Sequence, residues 1–153
     1  MRVRLEELLD APGRLEEQLL AAHLETQAIW ESCFRLVSRY DGMAGGGGFA
    51  DARDGQSAAL ADARAEEERL EAKLRRARQE LEELLGRMGR TWGVREALVL
   101  RGRYLLRQPW EQVRRDAEKT LGKKVTLRTL HNWHRAAIAH AREMTEEEGK
   151  EAS

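Results

Sequence analysis

Cysteine is nearly absent. Cys33 is the only one in the chain, so no intramolecular disulfide and no cysteine-based metal site can form. In its helical surroundings this thiol reads as a small buried hydrophobe. Aromatic residues make up 5% of the chain and there are two prolines, which argues against a large aromatic-rich core. No apolar run approaches the ~18–20 residues that a membrane span requires. The opening residues, MRVRLEELLDAPGRLEE, are too charged for the apolar stretch of a secretory signal. A soluble, cytoplasmic protein is therefore expected.

Catalytic constellations are missing as well. His23, His131, His134 and His140 are the only histidines, and no further ligand type clusters with them at metal-binding spacing. Ser32, Ser38 and Ser57 have no histidine in any arrangement that would make a nucleophile and its base. The many carboxylates sit on helix surfaces as solvated charge. No enzyme, metal or cofactor is expected. The four glycines at 45–48 invite comparison with a phosphate-binding loop, but no strand precedes them and no Lys-Ser/Thr follows. They predict a flexible hairpin loop over 42–56, because each glycine costs a helix roughly 1 kcal/mol.

What the chain has is charge, 35% of its residues, arranged on helical spacing. Leu15, Leu19, Ala22, Thr26, Ile29, Cys33, Leu36 and Tyr40 recur in steps of four and three, flanked by Leu20, Leu24, Trp30, Phe34 and Val37. Such spacing predicts a coiled-coil seam on a helix over 12–40, with Pro12 at its first position and Asp10 as cap. A second seam, Leu60, Ala63, Glu67, Leu70, Leu74, Ala77, Leu81, Leu84 and Met88, predicts a helix over 57–90 with Glu67 as its one polar intruder. Two seamed helices joined by a loop imply an antiparallel hairpin that packs on itself, on another copy, or both.

The formal net charge is zero, but it is unevenly spread. Between Arg87 and Arg142 fourteen basic residues face four acids, an excess of about +10. Residues 1–85 are net −6, and those from Glu143 onward net −4. A local basic excess of this size is what a phosphate-contacting surface needs. Apolar spacing and breakers divide the basic segment into three helices: 94–106, ended by Gln108-Pro109; 110–121; and, after a turn at 122–125, a helix capped by Thr126 that runs to about 144. In that third helix Leu127, Leu130, Trp133, Ala137 and Ile138 form the docking face. Arg128, His131, Asn132 and Arg135 form the complementary polar one. Arginine binds guanine and asparagine binds adenine bidentately, so the polar face suits a major groove. Trp110 and Trp133 fall at positions that favour packing in the small domain over stacking on bases. The acidic end, 145–153, is expected to be disordered.

These residues carry a family resemblance. Arg95-Glu96-Ala97-Leu98-Val99-Leu100-Arg101-Gly102-Arg103-Tyr104 resembles the opening helix of the sigma-70 region 4 type of helix-turn-helix. Trp110-Glu111-Gln112-Val113 resembles its support helix, and the stretch from Thr126 to Ile138 its recognition helix. A long helical hairpin ahead of such a domain resembles the phage-encoded ArpU/RinA-type transcription regulators. So do the glycine-rich stretch before Asp51 and the Thr129/His134 spacing. The chain departs from that pattern at Arg114-Arg115, where Ile-Ala is common, and in the length of the segment before the turn.

The resemblance implies an all-α protein in two parts, a hairpin arm (1–90) and a tri-helical DNA-binding domain (91–144), working in a bacterial cytoplasm. It implies that Leu127, Arg128, His131, Asn132 and Arg135 face the bases. Arg101, Arg103, Arg114, Arg115, Lys123, Lys124 and Thr126 would then meet phosphates. The expected partners are double-stranded DNA and, through the hairpin, a second copy or RNA polymerase. The rival expectation is a phage packaging protein of the small-terminase kind, or a helical scaffold whose basic end is incidental.

Overall fold

The computed structural model describes residues 4–40 and 47–151. The fold is all-α. Helix α1 spans Leu5–Tyr40, α2 Gly47–Thr91, α3 Val94–Leu100, α4 Trp110–Leu121 and α5 Leu127–Glu151, and a π-helical turn, Arg101–Leu105, continues α3. No strand occurs among the described residues. None of their helices is long and apolar enough to cross a membrane.

The chain divides into two compact units, one formed by Met1–Arg14 with Leu74–Ser153 and the other by Leu15–Lys73. The boundary expected near residue 90 is thus displaced. Both long helices contribute to both units, because their near ends bury leucines in the same core as the C-terminal helices.

In the unit Leu15–Lys73, burial follows the seams. Leu15 and Leu70 are buried, and the seam positions Leu19, Ala22, Thr26, Ile29 and Cys33 are partly covered. The Cys33 thiol donates to Gln56 Oε1 at 3.6 Å, and His23 Nδ1 lies 3.5 Å from Glu67 Oε1. One helix therefore ascends as the other descends, the expected antiparallel hairpin. Glu67 sits on the seam with its Oε1 buried and without a hydrogen bond. The flanking residues Leu20, Leu24, Trp30 and Phe34 do not broaden the seam and are exposed.

Both ends of this hairpin depart from the expected limits. Helix α1 begins at Leu5, with Glu6 and Glu7 in its first turn, and Pro12 lies inside it, fully buried. An interior proline costs a helix about 3 kcal/mol. Burying Leu5 and Leu9 contributes roughly 1.5–3 kcal/mol each, enough to carry the helix through. Helix α2 begins at Gly47, so 47–56, about two thirds of the expected loop, is helical; residues 41–46 lie outside the described residues. Glycine's penalty is local, and Gln56 gains its place by reaching Cys33 across the hairpin.

In the other unit, Leu5, Leu9, Leu81, Leu84, Leu85, Met88, Leu100, Leu105, Ala137 and Ala141 form one core. A second, smaller core gathers Val99, Val113, Ala117, Val125 and Leu130, flanked by Trp110 and Trp133. The chain turns from α2 into α3 at Gly93, whose φ of 110° only glycine adopts freely. Beyond residue 144, expected to be disordered, α5 continues to Glu151. Met144 packs on the larger core and Glu148 pairs with Arg87, contacts that composition alone does not reveal.

Candidate nucleic-acid interface

The candidate surface lies on α4, the turn after it and the first half of α5. Gly122 ends α4 in the left-handed region (φ 66°), as a helix C-terminus favours. Val125 returns to the core, which leaves Lys123 and Lys124 exposed at the tip of the turn. Thr126 then caps α5, its Oγ1 accepting from the Thr129 amide at 3.2 Å. Neither lysine has an ion-pair partner among the described residues.

Buried groups fix the rotation of α5. Leu130, Ala137 and Ala141 are fully buried, and Trp133 and Ile138 are half-buried beside them. Arg128, His131, Asn132 and Arg135 therefore occupy the exposed side, as their spacing predicted. Leu127 is 41% exposed and joins the polar side of the helix rather than the docking face. Its position at the helix start, before the first buried turn, accounts for this. Of the expected phosphate ligands, Lys123, Lys124 and Thr126 adjoin this face at the N-terminal end of α5. Arg115 stays exposed on α4 with a loose 3.7 Å contact to Glu111.

Three arginines are engaged within the protein. Arg114 donates to Glu111 at 3.0 Å, to Glu118 at 2.6 Å and to the Val125 carbonyl at 3.4 Å. The Glu118 carboxylate also accepts from the Val125 amide at 3.1 Å, so this pair ties the support helix to the turn. The hydrogen bond from Arg114 holds Glu111 below the usual carboxylate range, and Arg114 itself is held above its ordinary value chiefly by the same bond. Arg103 donates to the Gln108 carbonyl at 3.0 Å and lies 4.6 Å over the Trp110 ring. Arg101 faces Glu82 at 3.5 Å. Arg101, Arg103 and Arg114, all expected to meet phosphates, thus also make contacts within the protein.

One cluster carries no signal in linear spacing. Trp110 meets the His131 ring at 4.5 Å and the His134 ring edge-on at 5.1 Å, while Tyr104 Oη and His134 Nε2 share a 2.8 Å hydrogen bond. Burial pushes the His134 imidazole below its ordinary pKa, aided by the charges of Arg103 and His131. Burial likewise pushes the Tyr104 phenol up. Because His131 leans on Trp110, its ring is oriented on the exposed face. Farther along α5, His140 stacks on Trp92 at 3.8 Å and contacts Glu96 at 2.7 Å, so it serves packing.

Among the described residues no group of three or more His, Cys, Asp or Glu could hold a metal ion. Comparisons with protein-family models, with characterised proteins and with solved structures find no match to this chain.

Proposed function

We propose that this protein is a sequence-specific DNA-binding regulator that reads the major groove with the first half of α5. One observation carries the reading: a capped helix rotates its apolar side into a core and leaves Arg128, His131, Asn132 and Arg135 outward, beside an exposed Lys123-Lys124 turn. Helix, turn and basic tip together match what a groove-docking element requires. Arg128 and Asn132 serve base edges; Lys123, Lys124 and the amide end of α5 serve phosphates. The resemblance to sigma-70 region 4 and to ArpU/RinA-type regulators supports the same reading and suggests a phage or prophage gene-control role.

Selection of bound fragments from genomic DNA, followed by binding titrations on the enriched site, tests this. Arg128→Ala and Asn132→Ala each weaken the selected site by ~1–3 kcal/mol while leaving unrelated DNA unchanged. Lys123→Ala weakens all sequences alike and lowers the salt slope by about one. Equal, sequence-independent losses from Asn132→Ala and Lys123→Ala would sink the assignment. A free protein that sediments as a ring of eight or more subunits would favour the packaging alternative.

A further inference from the structure

Helix α1 exposes four large apolar side chains that the hairpin does not use: Leu20 at 60%, Leu24 at 56%, Trp30 at 54% and Phe34 at 70%. At 100° per residue they share one stripe about a third of the circumference wide, turned away from the seam that meets α2. Their spacing is four, three, three and four about Gln27, so their positions, though not their residue types, are symmetric about it. We infer that this stripe is a two-fold, antiparallel interface with a second copy of the chain, with Gln27 on the dyad.

The symmetry of this spacing selects both the occupant and its direction. A two-fold contact is self-complementary: if one position meets another, the second also meets the first. Antiparallel pairing about Gln27 sets Leu20 against the partner's Phe34 and Leu24 against the partner's Trp30, so each large ring meets a smaller side chain. It also sets the half-exposed His23, which lies 3.5 Å from Glu67 in its own hairpin, against the partner's Glu31, which lies 3.9 Å from Arg35 and is exposed. Parallel pairing would put Glu31 on Glu31 and ring on ring. Aromatic side chains bury roughly 150–250 Å² each, so the four exposed fractions amount to about 450 Å² per copy. Two copies, with their polar flanks, then reach the roughly 1,000 Å² that a specific interface needs. This inference is independent of the DNA reading, since it concerns residues in another unit and is tested without DNA.

Sedimentation of the full chain over about 1 to 100 μM is expected to show a monomer–dimer equilibrium. Phe34→Glu, with its helical circular dichroism intact, should weaken the dimer by ~100-fold or more, because two apolar contacts are lost per dimer. A second variant reports on geometry. Two helices packed ~10 Å apart bring facing Cα atoms on the dyad to roughly 5–6 Å, within disulfide range. In a Cys33→Ala background, Gln27→Cys should therefore cross-link under mild oxidation. Glu17→Cys should not, because antiparallel pairing puts its twin ~30 Å away. A monomer at all concentrations would overturn the proposal. So would a dimer or larger assembly indifferent to Phe34→Glu, or equal cross-linking at positions 17 and 27.

Discussion

Gly102 sits where the π-helical turn crosses α4, and a Cβ built there would lie 2.9 Å from Val113 Cγ2 and 3.1 Å from Cγ1. Gly102→Ala sets two effects against each other. Alanine is favoured over glycine within a helix by about 1 kcal/mol. Forcing a methyl into a packed core costs ~1–3 kcal/mol. Val113 is β-branched and 1% exposed, packed in the smaller core with Val99 and Leu130, so its methyls have no room to swing. The cost therefore falls in the upper half of that range, and the net expectation is a loss of ~1–2 kcal/mol. At about 4–8 °C per kcal/mol for a unit of 60–100 residues, melting falls by roughly 5–15 °C. Val113→Ala alone costs about 2 kcal/mol through its cavity. In the double variant the new methyl enters that cavity, so the loss should not exceed that of Val113→Ala alone, a coupling of ~1–2 kcal/mol. Thermal and urea unfolding of the four proteins reads this cycle. A more stable Gly102→Ala, or losses that simply add, would refute the close-approach argument.

Thr126→Ala removes the cap of α5 and should cost ~1 kcal/mol in urea unfolding; an unchanged midpoint would mean that Thr126 Oγ1 contributes nothing to the helix start. His134 has a folded pKa below its unfolded value, so the folded state holds fewer protons. Its contribution is present above the unfolded pKa and is lost as pH falls from there through the folded value. The melting temperature should thus fall on acidification from pH ~7 to ~5, and His134→Gln should flatten that slope; an unchanged slope would assign the effect elsewhere. Glu67→Leu removes a buried seam oxygen that accepts no hydrogen bond, along with its 3.5 Å contact to His23, and should stabilise the hairpin by ~1–3 kcal/mol, with a lower melting point the contrary result.

Periodic features could be read from the sequence almost residue by residue. Every described seam position, from Leu15 to Cys33 and from Leu60 to Met88, is less exposed than its neighbours off the seam. The limits of α4, the Gly122 turn and the Thr126 cap follow from local chemistry and also needed no tertiary information. Contacts distant in sequence were not readable. Pro12 and Gly47 look like helix limits until the core around Leu5 and the Gln56–Cys33 contact are known. Glu146, Glu147 and Glu148 look solvated until Arg87 is placed beside the last of them. Within the candidate site, the exposed side of α5 followed from spacing. The engagement of Arg114 did not, although Glu111 and Glu118 stand three positions before it and four after it, within reach on one helix. A count of positive charges does not distinguish an arginine that ties a turn from one that meets solvent.

The larger core closes the beginning of the chain onto its end. Leu5 and Leu9 share it with Ala137 and Ala141, and Arg142 bonds Glu6 across 136 positions at 2.8 Å. During synthesis this core cannot be completed until α5 has emerged. At about 5–20 residues per second, the leading turns of α1 wait roughly 7–25 s for those partners. The hairpin needs nothing from α5 and is free to form first. Assembly is thus ordered in time, with α5 set after the hairpin, and a chain cut short before α5 leaves its first leucines without their final cover.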